Sequence, residues 1–389
     1  MSAEKCHFCG SNSITEIHEF ATLRRVTSDC KPWQEPGRLA WCSECDGAQA
    51  ILDAHWYSQA AEIYRSYDLN QIGGGLEQNV FDAVTGQATA RSSRLLQQLA
   101  EEVQLPQRGK LLDIGCGTGS LLAAFARAHP DWQLYGSDIN ERSKSVVEAI
   151  PGVQKLFVGP FEAVTGSYQF ISLIHSLEHI PNPAKALRHA WDLLADGGLL
   201  LVQVPNCEIN PFVYLVADHS AHFFPSSLLE LAESEGYQSV VPAQDWIAKE
   251  ITYVGRKSIH AASSRAMRST RSSLATIRRQ VMWLKGEASR IEQVQNRPSV
   301  GILGTTFAGT WAYAQMDKKP AFFIDEDPHK VGRSLFGLPV IRPEQVPPGS
   351  DVIMPYPRQF AESIVARLAG YDIRWHLPAD ITDIALHEQ

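Results

Sequence analysis

Long apolar runs are missing from this sequence. No stretch of the 389 residues approaches the roughly 18 uninterrupted apolar residues that a membrane helix needs. Residues 1–6 contain no apolar segment of the kind that a signal peptide requires. Hydrophobic residues nevertheless make up 44% of the chain, which is enough for buried cores. We therefore expect a globular protein of the cytoplasm, without membrane contact, built from roughly two or three domains.

Positive charge is scarce as well. The formal net charge is −8 at pH 7, which argues against a protein whose whole surface binds nucleic acid. Basic residues concentrate in residues 256–290, where nine Lys or Arg accompany a single acid, Glu287. This composition predicts a basic helix, or a pair of helices, that lies between domains and has a solvated face. A surface for an anionic partner is the alternative.

Cysteine is infrequent but regularly spaced. Four of the seven cysteines form two Cys-x-x-Cys pairs, Cys6 with Cys9 and Cys42 with Cys45. Two such pairs supply the four thiolates of a tetrahedral zinc site, and the residues between them are enough for a small antiparallel ribbon. Because a site with four protein ligands has no open position, we predict a structural zinc ion; a redox role is the alternative. The remaining cysteines are expected to be buried small residues: Cys30, Cys116 and Cys207.

Two helical patterns flank a glycine-rich segment. Apolar residues at helical spacing predict helices over residues 51–66 and about 90–104. The three consecutive glycines at 73–75 do not favour a helix, so the segment between these helices is expected to be a loop. Its neighbours, Tyr67 and Gln78 among them, suggest a lid over a ligand; a simple linker is the alternative.

From residue 110 onwards, short apolar runs alternate with amphipathic helices. This alternation predicts an α/β fold with a doubly wound, mostly parallel sheet. A second alternating unit that starts at residue 299 predicts another, smaller Rossmann-like fold. The expected organisation is a zinc-binding ribbon (1–50), a helical lid region (51–105), an α/β ligand-binding domain (106–250), a basic helical linker (251–295) and a carboxyl-terminal Rossmann-like domain (296–389).

A glycine-rich turn follows the first strand of the predicted α/β domain. The strand ends in an acid, and alternate glycines follow it: Asp113, Gly115, Cys116, Gly117 and Gly119. The dinucleotide pattern Gly-x-Gly-x-x-Gly cradles a pyrophosphate, whereas this Gly-x-Gly-x-Gly spacing after a carboxylate suits a cationic ligand. The run resembles motif I of the class I S-adenosylmethionine-dependent methyltransferases. That resemblance implies a Rossmann-like fold and S-adenosylmethionine as the methyl donor.

The second strand also ends in an acid, Asp138. A carboxylate at this position accepts hydrogen bonds from ribose hydroxyls, although an ordinary turn acid is the alternative. The resemblance implies that Asp138 binds the adenosine ribose with Ile139 beside it, and that Phe161 packs against the adenine. Tyr67 and Gln78 complete the predicted donor site.

Two polar clusters follow later strands of the same domain. They consist of His175, Glu178 and His179, and of Asp218, His219 and His222. The first cluster matches a zinc peptidase pattern only formally, because a strand precedes it and Pro181 closes it. An imidazole, whose ordinary pKa is about 6.5, can take a proton near working pH, and a neighbouring carboxylate can orient it. We therefore predict acid–base residues here; ligation of a divalent metal by these histidines and Glu178 is the alternative.

The order of a four-cysteine ribbon, a class I methyltransferase domain and a second Rossmann-like domain resembles the sugar C-methyltransferases. These enzymes act on nucleotide-linked deoxy-keto-sugars, and the resemblance implies acid–base roles for His179 and His219. The family's Tyr-x-Glu-His motif falls on residues 216–219, where the tyrosine is absent and the glutamate is shortened to Asp218. This departure leaves C-methylation beside a ketone open.

The resemblance also implies that the carboxyl-terminal domain holds the nucleotide of the substrate; packing or homodimer formation is the alternative. The predicted function is therefore methyl transfer to a small, nucleotide-linked sugar with histidine acid–base assistance. An O-methyltransferase of a carbohydrate or another natural product, with or without a divalent metal, is the second candidate.

Overall fold

The computed structural model describes residues 4–68, 77, 79–81, 88–258 and 272–386, and its amino-terminal part is a small antiparallel ribbon. Its strands are β1 (Ile14–Glu16), β2 (Arg25–Val26), β3 (Pro32–Trp33), β4 (Leu39–Cys42) and β5 (Ala48–Ala50). β4 lies between β1 and β5, while β2 pairs with β3. The second Cys-x-x-Cys pair lies in the β4–β5 hairpin, so strand pairing determines where its thiols point.

The ribbon is followed by α1 (Ala54–Arg65), β6 (Asn79–Phe81), β7 (Ala88–Ala90) and α2 (Arg91–Glu102). α1 begins because the side chain of Asp53 accepts a hydrogen bond from the Trp56 amide at 2.9 Å, which satisfies one of the free amides of the first turn. The helices that we predicted at 51–66 and 90–104 are thus present. Gln78 and the glycines at 73–75 lie outside the described residues.

The first α/β unit alternates strands and helices. Its elements are β8 (Lys110–Ile114), α3 (Ser120–Ala128), β9 (Gln133–Asp138), α4 (Lys144–Glu148), β10 (Val153–Val158), β11 (Tyr168–Ile174), α5 (Pro183–Leu193) and β12 (Leu194–Pro205). These strands are parallel in the order β10-β9-β8-β11-β12. The order reverses between β8 and β11, and such a switch point opens a crevice at the carboxyl ends of the strands.

The sheet is completed by an antiparallel hairpin. After β13 (Ala221–His222) and α6 (Pro225–Ser234), the chain forms β14 (Tyr237–Gln244) and β15 (Glu250–Lys257). β15 lies between β12 and β14 and is antiparallel to both. We expected a helical linker from residue 251, but this prediction is wrong for its first residues. They belong to β15 and pair with the apolar residues of β12.

The second α/β unit follows the long helix α7 (Leu274–Val294). Its elements are β16 (Val300–Leu303), α8 (Phe307–Gln315), β17 (Phe322–Ile324), β18 (Ser334–Leu335), β19 (Leu338–Ile341), β20 (Ser350–Ile353), α9 (Arg358–Arg367) and β21 (Ile373–His376). The strand order is β18-β19-β17-β16-β20-β21, and β18 is antiparallel to its neighbour while the other pairs are parallel. The helix predicted within 256–290 begins only at Leu274.

One hydrophobic core joins parts of the chain that are distant in sequence. It contains Phe20 of the ribbon, Phe212 of the first α/β unit, Trp283 of α7 and Trp311 of α8, all at most 3% exposed. The two indole rings stack edge-on against Phe212, with ring centroids 5.5 Å from it. The ribbon, α7 and the second sheet thus pack as one body against the segment that follows β12. None of the described helices combines the length and the apolar character needed to cross a membrane.

Candidate active site

A cavity of about 1100 Å³ lies between α1 and the carboxyl ends of β8, β9, β10 and β11. Its volume suffices for a nucleoside-sized donor together with a small acceptor. α1 contributes Trp56 and Tyr64, and the strand ends contribute Gly117, Asp138 and His179. The crevice that the strand order creates is therefore covered by the helix of the predicted lid region.

The turn after β8 requires glycine for two reasons. Gly115, Gly117 and Gly119 have φ values of 72°, 54° and 81°, which lie in the left-handed region that only glycine adopts without strain. A Cβ atom on Gly115 would also lie 2.5 Å from Cβ of Ser176, whereas one on Gly117 would meet nothing within 4 Å. Gly115 and Gly117 line the cavity, and Gly119 begins α3. The turn thus presents bare backbone to a ligand.

Asp138 lies at the end of β9 on the cavity wall. One carboxylate oxygen accepts the Gly117 amide at 3.0 Å, and the other accepts the Asn140 amide at 2.8 Å. Burial raises the pKa of Asp138 despite these two hydrogen bonds. Since each carboxylate oxygen has two lone pairs, both oxygens keep accepting capacity for ligand hydroxyls.

Three further predicted donor residues also line the cavity. Ile139 is 63% exposed, so its apolar surface is available to a ligand. Phe161 is 9% exposed and packs edge-on against the ring of His189. Tyr67, which follows α1, lines the cavity, as does Ser28.

Asp113 and Cys116 lie beneath the glycine turn, outside the described cavity wall. The Asp113 carboxylate is 3% exposed and accepts a 2.7 Å hydrogen bond from the Ser172 hydroxyl. Burial raises the pKa of Asp113 to about 7, although Ser172 opposes the shift. Cys116 directs its Sγ towards Gly136, where a Cβ atom would lie 2.7 Å away. The direct contact with a cationic ligand that we expected of Asp113 stays a prediction; in this structure its carboxylate bonds to Ser172 and is not among the residues that line the cavity.

His179 joins the cavity to a buried carboxylate. Its Nδ1 atom lies 3.3 Å from Oδ2 of Asp218, 3.2 Å from the Asp218 carbonyl oxygen and 3.1 Å from the Tyr64 hydroxyl. Burial opposes a charged ring here, but the hydrogen bond to Asp218 and the charge of that carboxylate outweigh it and raise the pKa of His179 to about 9. With Nδ1 engaged, Nε2 is the ring nitrogen that remains for a ligand.

Asp218 is fully buried and held by donors on both oxygens. The Ser28 amide donates to Oδ1 at 2.9 Å, and the Ser28 hydroxyl donates to Oδ2. Burial alone would raise the pKa of Asp218, but the hydrogen bond to His179 holds it well below its usual range. The pair therefore exists as imidazolium and carboxylate at neutral pH.

His219 lies behind His179. The two rings meet edge-on with their centroids 4.7 Å apart. Burial, together with the charge of His179, lowers the pKa of His219 to about 4, so this ring is neutral. His222 is farther away, 3% exposed and packed against Tyr214, and burial holds its pKa well below the usual range. Environments that push two neighbouring histidines to opposite charge states are typical of acid–base pairs.

His175 and Glu178 form a second charged group beside the cavity. His175 lines the cavity and has a φ of 51°, a strained value for a residue other than glycine. Its Nδ1 and Nε2 atoms lie 3.3 Å from carboxylate oxygens of Glu178 and Glu250, respectively. Burial would raise the pKa of Glu178, but the hydrogen bond with His175 lowers it. Arg91 of α2 also contacts the His175 ring.

Among the residues that the structure describes, two groups of side chains have metal-ligand geometry. The thiols of Cys6, Cys9, Cys42 and Cys45 are unpaired by disulfides and lie within 4.8 Å of one another. The second group consists of Glu178, His179 and His219, which meet the same distance criterion. The structure therefore brings all four predicted zinc ligands together, whereas His175 and His222 lie outside the second group.

Sequence reasoning missed the residues that approach His179 from the amino-terminal region. Neither Ser28 nor Tyr64 is among the predicted site residues. Arg91 and Glu250, which flank His175, also went unnoticed. No local pattern marks these four residues, because each reaches the site from a different part of the chain.

Known proteins resemble the chain in its first α/β unit. The methyltransferase domain family matches residues 84–245. A trans-aconitate 2-methyltransferase of Deinococcus radiodurans is 29% identical over 105 residues, which are 26% of this chain and 40% of that protein. A ubiquinone biosynthesis O-methyltransferase of Shewanella halifaxensis is 25% identical over 146 residues, 32% of this chain and 61% of that protein. The chain thus spans less than two thirds of the length of either relative.

Among solved structures, PigF with SAH aligns with 43% of this chain and 55% of its own, at 19% identity and a TM-score of 0.36. The family match covers the glycine turn, the cavity strands and both histidine clusters. Together with the sheet order, it identifies residues 84–245 as a class I S-adenosylmethionine-dependent methyltransferase domain. The class that we predicted from the glycine motif is confirmed.

Proposed function

We propose that this protein transfers a methyl group from S-adenosylmethionine to a small acceptor, a nucleotide-linked sugar, in the cavity beneath α1. The observation that carries this proposal is the position of His179. Its ring lines the same cavity as the glycine turn and Asp138, so a proton-handling group and the donor residues share one enclosed space. The sulfonium of the donor supplies an activated methyl group when it is bound.

The residues around the turn fit such a donor. Gly115 and Gly117 leave the backbone uncovered, Asp138 keeps lone pairs for ribose hydroxyls, and Ile139 and Phe161 offer apolar surface for a base. Asp113 supports the turn from below. These are the demands of a nucleoside with a cationic side arm, and they differ from those of a pyrophosphate, which requires more cationic or amide donors.

The acceptor side provides one charged and one neutral imidazole. His179, held as imidazolium by Asp218, can donate a hydrogen bond from Nε2 to an acceptor oxygen. Loss of the Nε2 proton to solvent, while Nδ1–H stays on Asp218, turns Nε2 into a base. A hydroxyl or an acidic carbon next to a carbonyl would be deprotonated there, and α1 would exclude water from the reaction.

The four cysteines fit a structural zinc ion. Sγ atoms of Cys6 and Cys45 are 3.5 Å apart, and those of Cys9 and Cys42 are 3.7 Å apart. A tetrahedron with Zn–S distances of about 2.3 Å has edges of about 3.8 Å, close to both values.

We also propose that the second sheet, with its glycine turn at Gly304, holds the nucleotide of the acceptor.

A second candidate is metal-assisted O-methylation. It is favoured by the convergence of Glu178, His179 and His219, a set that suits a divalent ion such as Mn²⁺ or Zn²⁺. In this arrangement the metal would bind vicinal oxygens of the acceptor and lower the pKa of a hydroxyl.

Incubation with labelled S-adenosylmethionine and a panel of nucleotide-linked sugars, with and without EDTA, separates the two candidates. Product labelled on carbon or oxygen regardless of EDTA supports histidine assistance, whereas loss of O-methylation on chelation supports the metal.

Calorimetry of Asp138→Ala is expected to show donor binding weaker by roughly 1.5–3 kcal/mol. Exposed Asp131→Ala is the matched control, and equal donor affinity of wild type and Asp138→Ala would remove Asp138 from the site.

A further inference from the structure

The loop between β14 and β15 touches both parts of the proposed acceptor site. Glu250, the first residue of β15, has a carboxylate oxygen 3.3 Å from Nε2 of His175, which lines the cavity. Lys249, one residue earlier, has its ammonium over the ring of Tyr356, 4.9 Å from the ring centroid. Tyr356 packs in turn against the glycine turn of the second sheet, since a Cβ atom on Gly304 would clash with its hydroxyl. Consecutive residues of one loop therefore contact the cavity residues and the second sheet.

The ammonium of Lys249 lies against ring faces and has no ionic partner. It lies over Phe360 of α9 as well as Tyr356, 5.5 Å from the Phe360 centroid. In the part of the chain that the structure describes, no carboxylate forms an ion pair with it, and the neighbouring Glu250 is directed towards His175. A charge that is withdrawn from water without a counter-ion is unfavourable, and aromatic faces compensate only in part. An anion that reached Lys249 would therefore bind without displacing a protein carboxylate.

Two cations and one carboxylate meet at this loop. Arg91 contacts the His175 ring and lies 3.8 Å from Glu250. Burial lowers the pKa of Lys249, while the charge of Glu250 opposes this shift and the charge of Arg91 adds to it. The surplus of positive charge around Glu250 favours an anionic ligand.

The backbone of Lys249 is strained. Its φ of 70° lies in the left-handed region, which residues other than glycine, asparagine and aspartate rarely adopt. The Lys249 carbonyl oxygen accepts the Asn206 amide at 2.9 Å, and the Glu250 amide donates to the Ile247 carbonyl oxygen at 3.0 Å. These hydrogen bonds hold the turn in this conformation, with the lysine side chain against the second sheet. Strained residues of this kind cluster at ligand-binding sites.

We propose that Lys249 binds the diphosphate of the acceptor, with the sugar at the histidines of the cavity and the nucleoside at the second sheet. The inference rests on the proposed function, because it takes the acceptor to be a nucleotide-linked sugar. Such a molecule carries its negative charge between its sugar and its nucleoside, and Lys249 lies between the two regions that would hold them. A lysine ammonium is a compact point charge that suits phosphate oxygens.

The test is calorimetry of the full chain with the diphosphates of uridine, thymidine, cytidine and guanosine, each compared with its parent nucleoside. Saturating S-adenosylhomocysteine keeps the donor site occupied throughout. For the diphosphates that bind, Lys249→Met should weaken binding about tenfold or more, because it removes a charged hydrogen bond, while the affinity for the parent nucleoside stays unchanged. Rising salt should weaken diphosphate binding less in this variant than in the wild type.

Two variants serve as controls. Lys249→Arg keeps the positive charge and should retain most of the diphosphate affinity. Lys319→Met removes a lysine that also lies over a tyrosine ring, 4.1 Å from the centroid of Tyr313, but that is exposed on the second α/β unit. It should bind every probe like the wild type. Unchanged affinity of Lys249→Met for S-adenosylhomocysteine shows that the donor site is intact.

The outcomes separate this inference from the proposed function. Equal affinity of wild type and Lys249→Met for a nucleoside diphosphate would overturn the inference and leave the nucleotide-linked acceptor standing. An equal loss for the diphosphate and for its nucleoside would also overturn it, because the effect would then be structural. Inorganic pyrophosphate that binds as tightly as the nucleoside diphosphates would show a site for free phosphates instead. A wild type that binds none of these diphosphates would refute the nucleotide-linked acceptor itself.

Discussion

The hydroxyl of Tyr64 lies 3.1 Å from Nδ1 of His179. Tyr64 belongs to α1, whereas His179 lies in the short turn after β11. The helix that covers the cavity therefore supplies a polar group to the nitrogen that also faces Asp218. Burial holds the pKa of Tyr64 well above its ordinary value, so its hydroxyl stays protonated and neutral.

Replacement of Tyr64 by phenylalanine should impair acceptor turnover more than donor binding. The change removes one hydrogen bond from His179, a loss of about 0.5–1.5 kcal/mol, and so should lower kcat/KM for the acceptor by roughly threefold to tenfold. Steady-state kinetics and donor calorimetry would measure the two effects separately. Tyr371→Phe, on the exposed surface of the second α/β unit, is the control. Equal kcat/KM for Tyr64→Phe and wild type would show that the contact is incidental.

Replacement of Cys42 by serine should release the zinc ion and lower thermal stability without altering the donor residues. A structural zinc site contributes directly to folding because the unfolded chain has no preformed set of ligands. Metal analysis, thermal unfolding and donor calorimetry would follow the three quantities. Cys207→Ser is the matched control, since Cys207 is equally buried but lies outside the thiol cluster. Stoichiometric zinc in Cys42→Ser would refute this ligand set.

The His179–Asp218 pair should make stability depend on pH. The folded-state pKa of His179 is raised to about 9 from the ordinary value of 6.5. Its contribution is therefore fully present below about pH 6.5 and is lost as the pH rises through about 9. Wild type should exceed His179→Gln in unfolding free energy, by a margin that narrows between about pH 7 and 10.

Urea unfolding at several pH values would measure this margin. His18→Gln, a substitution at an exposed histidine of the ribbon region, corrects for the general effect of pH. A margin that stays constant across the range would mean that His179 does not carry its charge in the folded protein.

Local features of the fold could be predicted from the sequence. The alternation of apolar runs gave the parallel strands, and the glycines at 115, 117 and 119 gave the donor turn, because both depend on residues close together in the chain. The spacing of the cysteines was likewise sufficient to predict that the four thiols of the two Cys-x-x-Cys pairs lie together. The strand character of Arg256 and Lys257 was missed because basic composition suggested a helix, whereas pairing with β12 and β14 determines their conformation.

Contacts between distant segments could not be predicted in this way. Ser28 and Asp218 are separated by 190 positions, and Tyr64 and His179 by 115. Such pairs depend on how the ribbon packs against the methyltransferase sheet. The hydrophobic periodicity of the sequence reports local structure and does not reveal this packing. The opposite charge states of His179 and His219 also follow from burial and from Asp218, not from their residue type.

Replacement of Gly115 by alanine tests the geometry of the donor turn. Gly115 and Gly197 have similar φ values, 72° and 71°, so alanine at either position incurs a backbone cost of about 1–2 kcal/mol. Only at Gly115 would the new Cβ also meet Ser176, at 2.5 Å, whereas Gly197 has open space around it. Gly115→Ala should therefore lose more unfolding free energy than Gly197→Ala and should weaken donor binding at least about tenfold, because Gly115 lines the cavity. Denaturant titration and calorimetry of the two variants make the comparison, and equal losses would show that the turn adapts to a side chain.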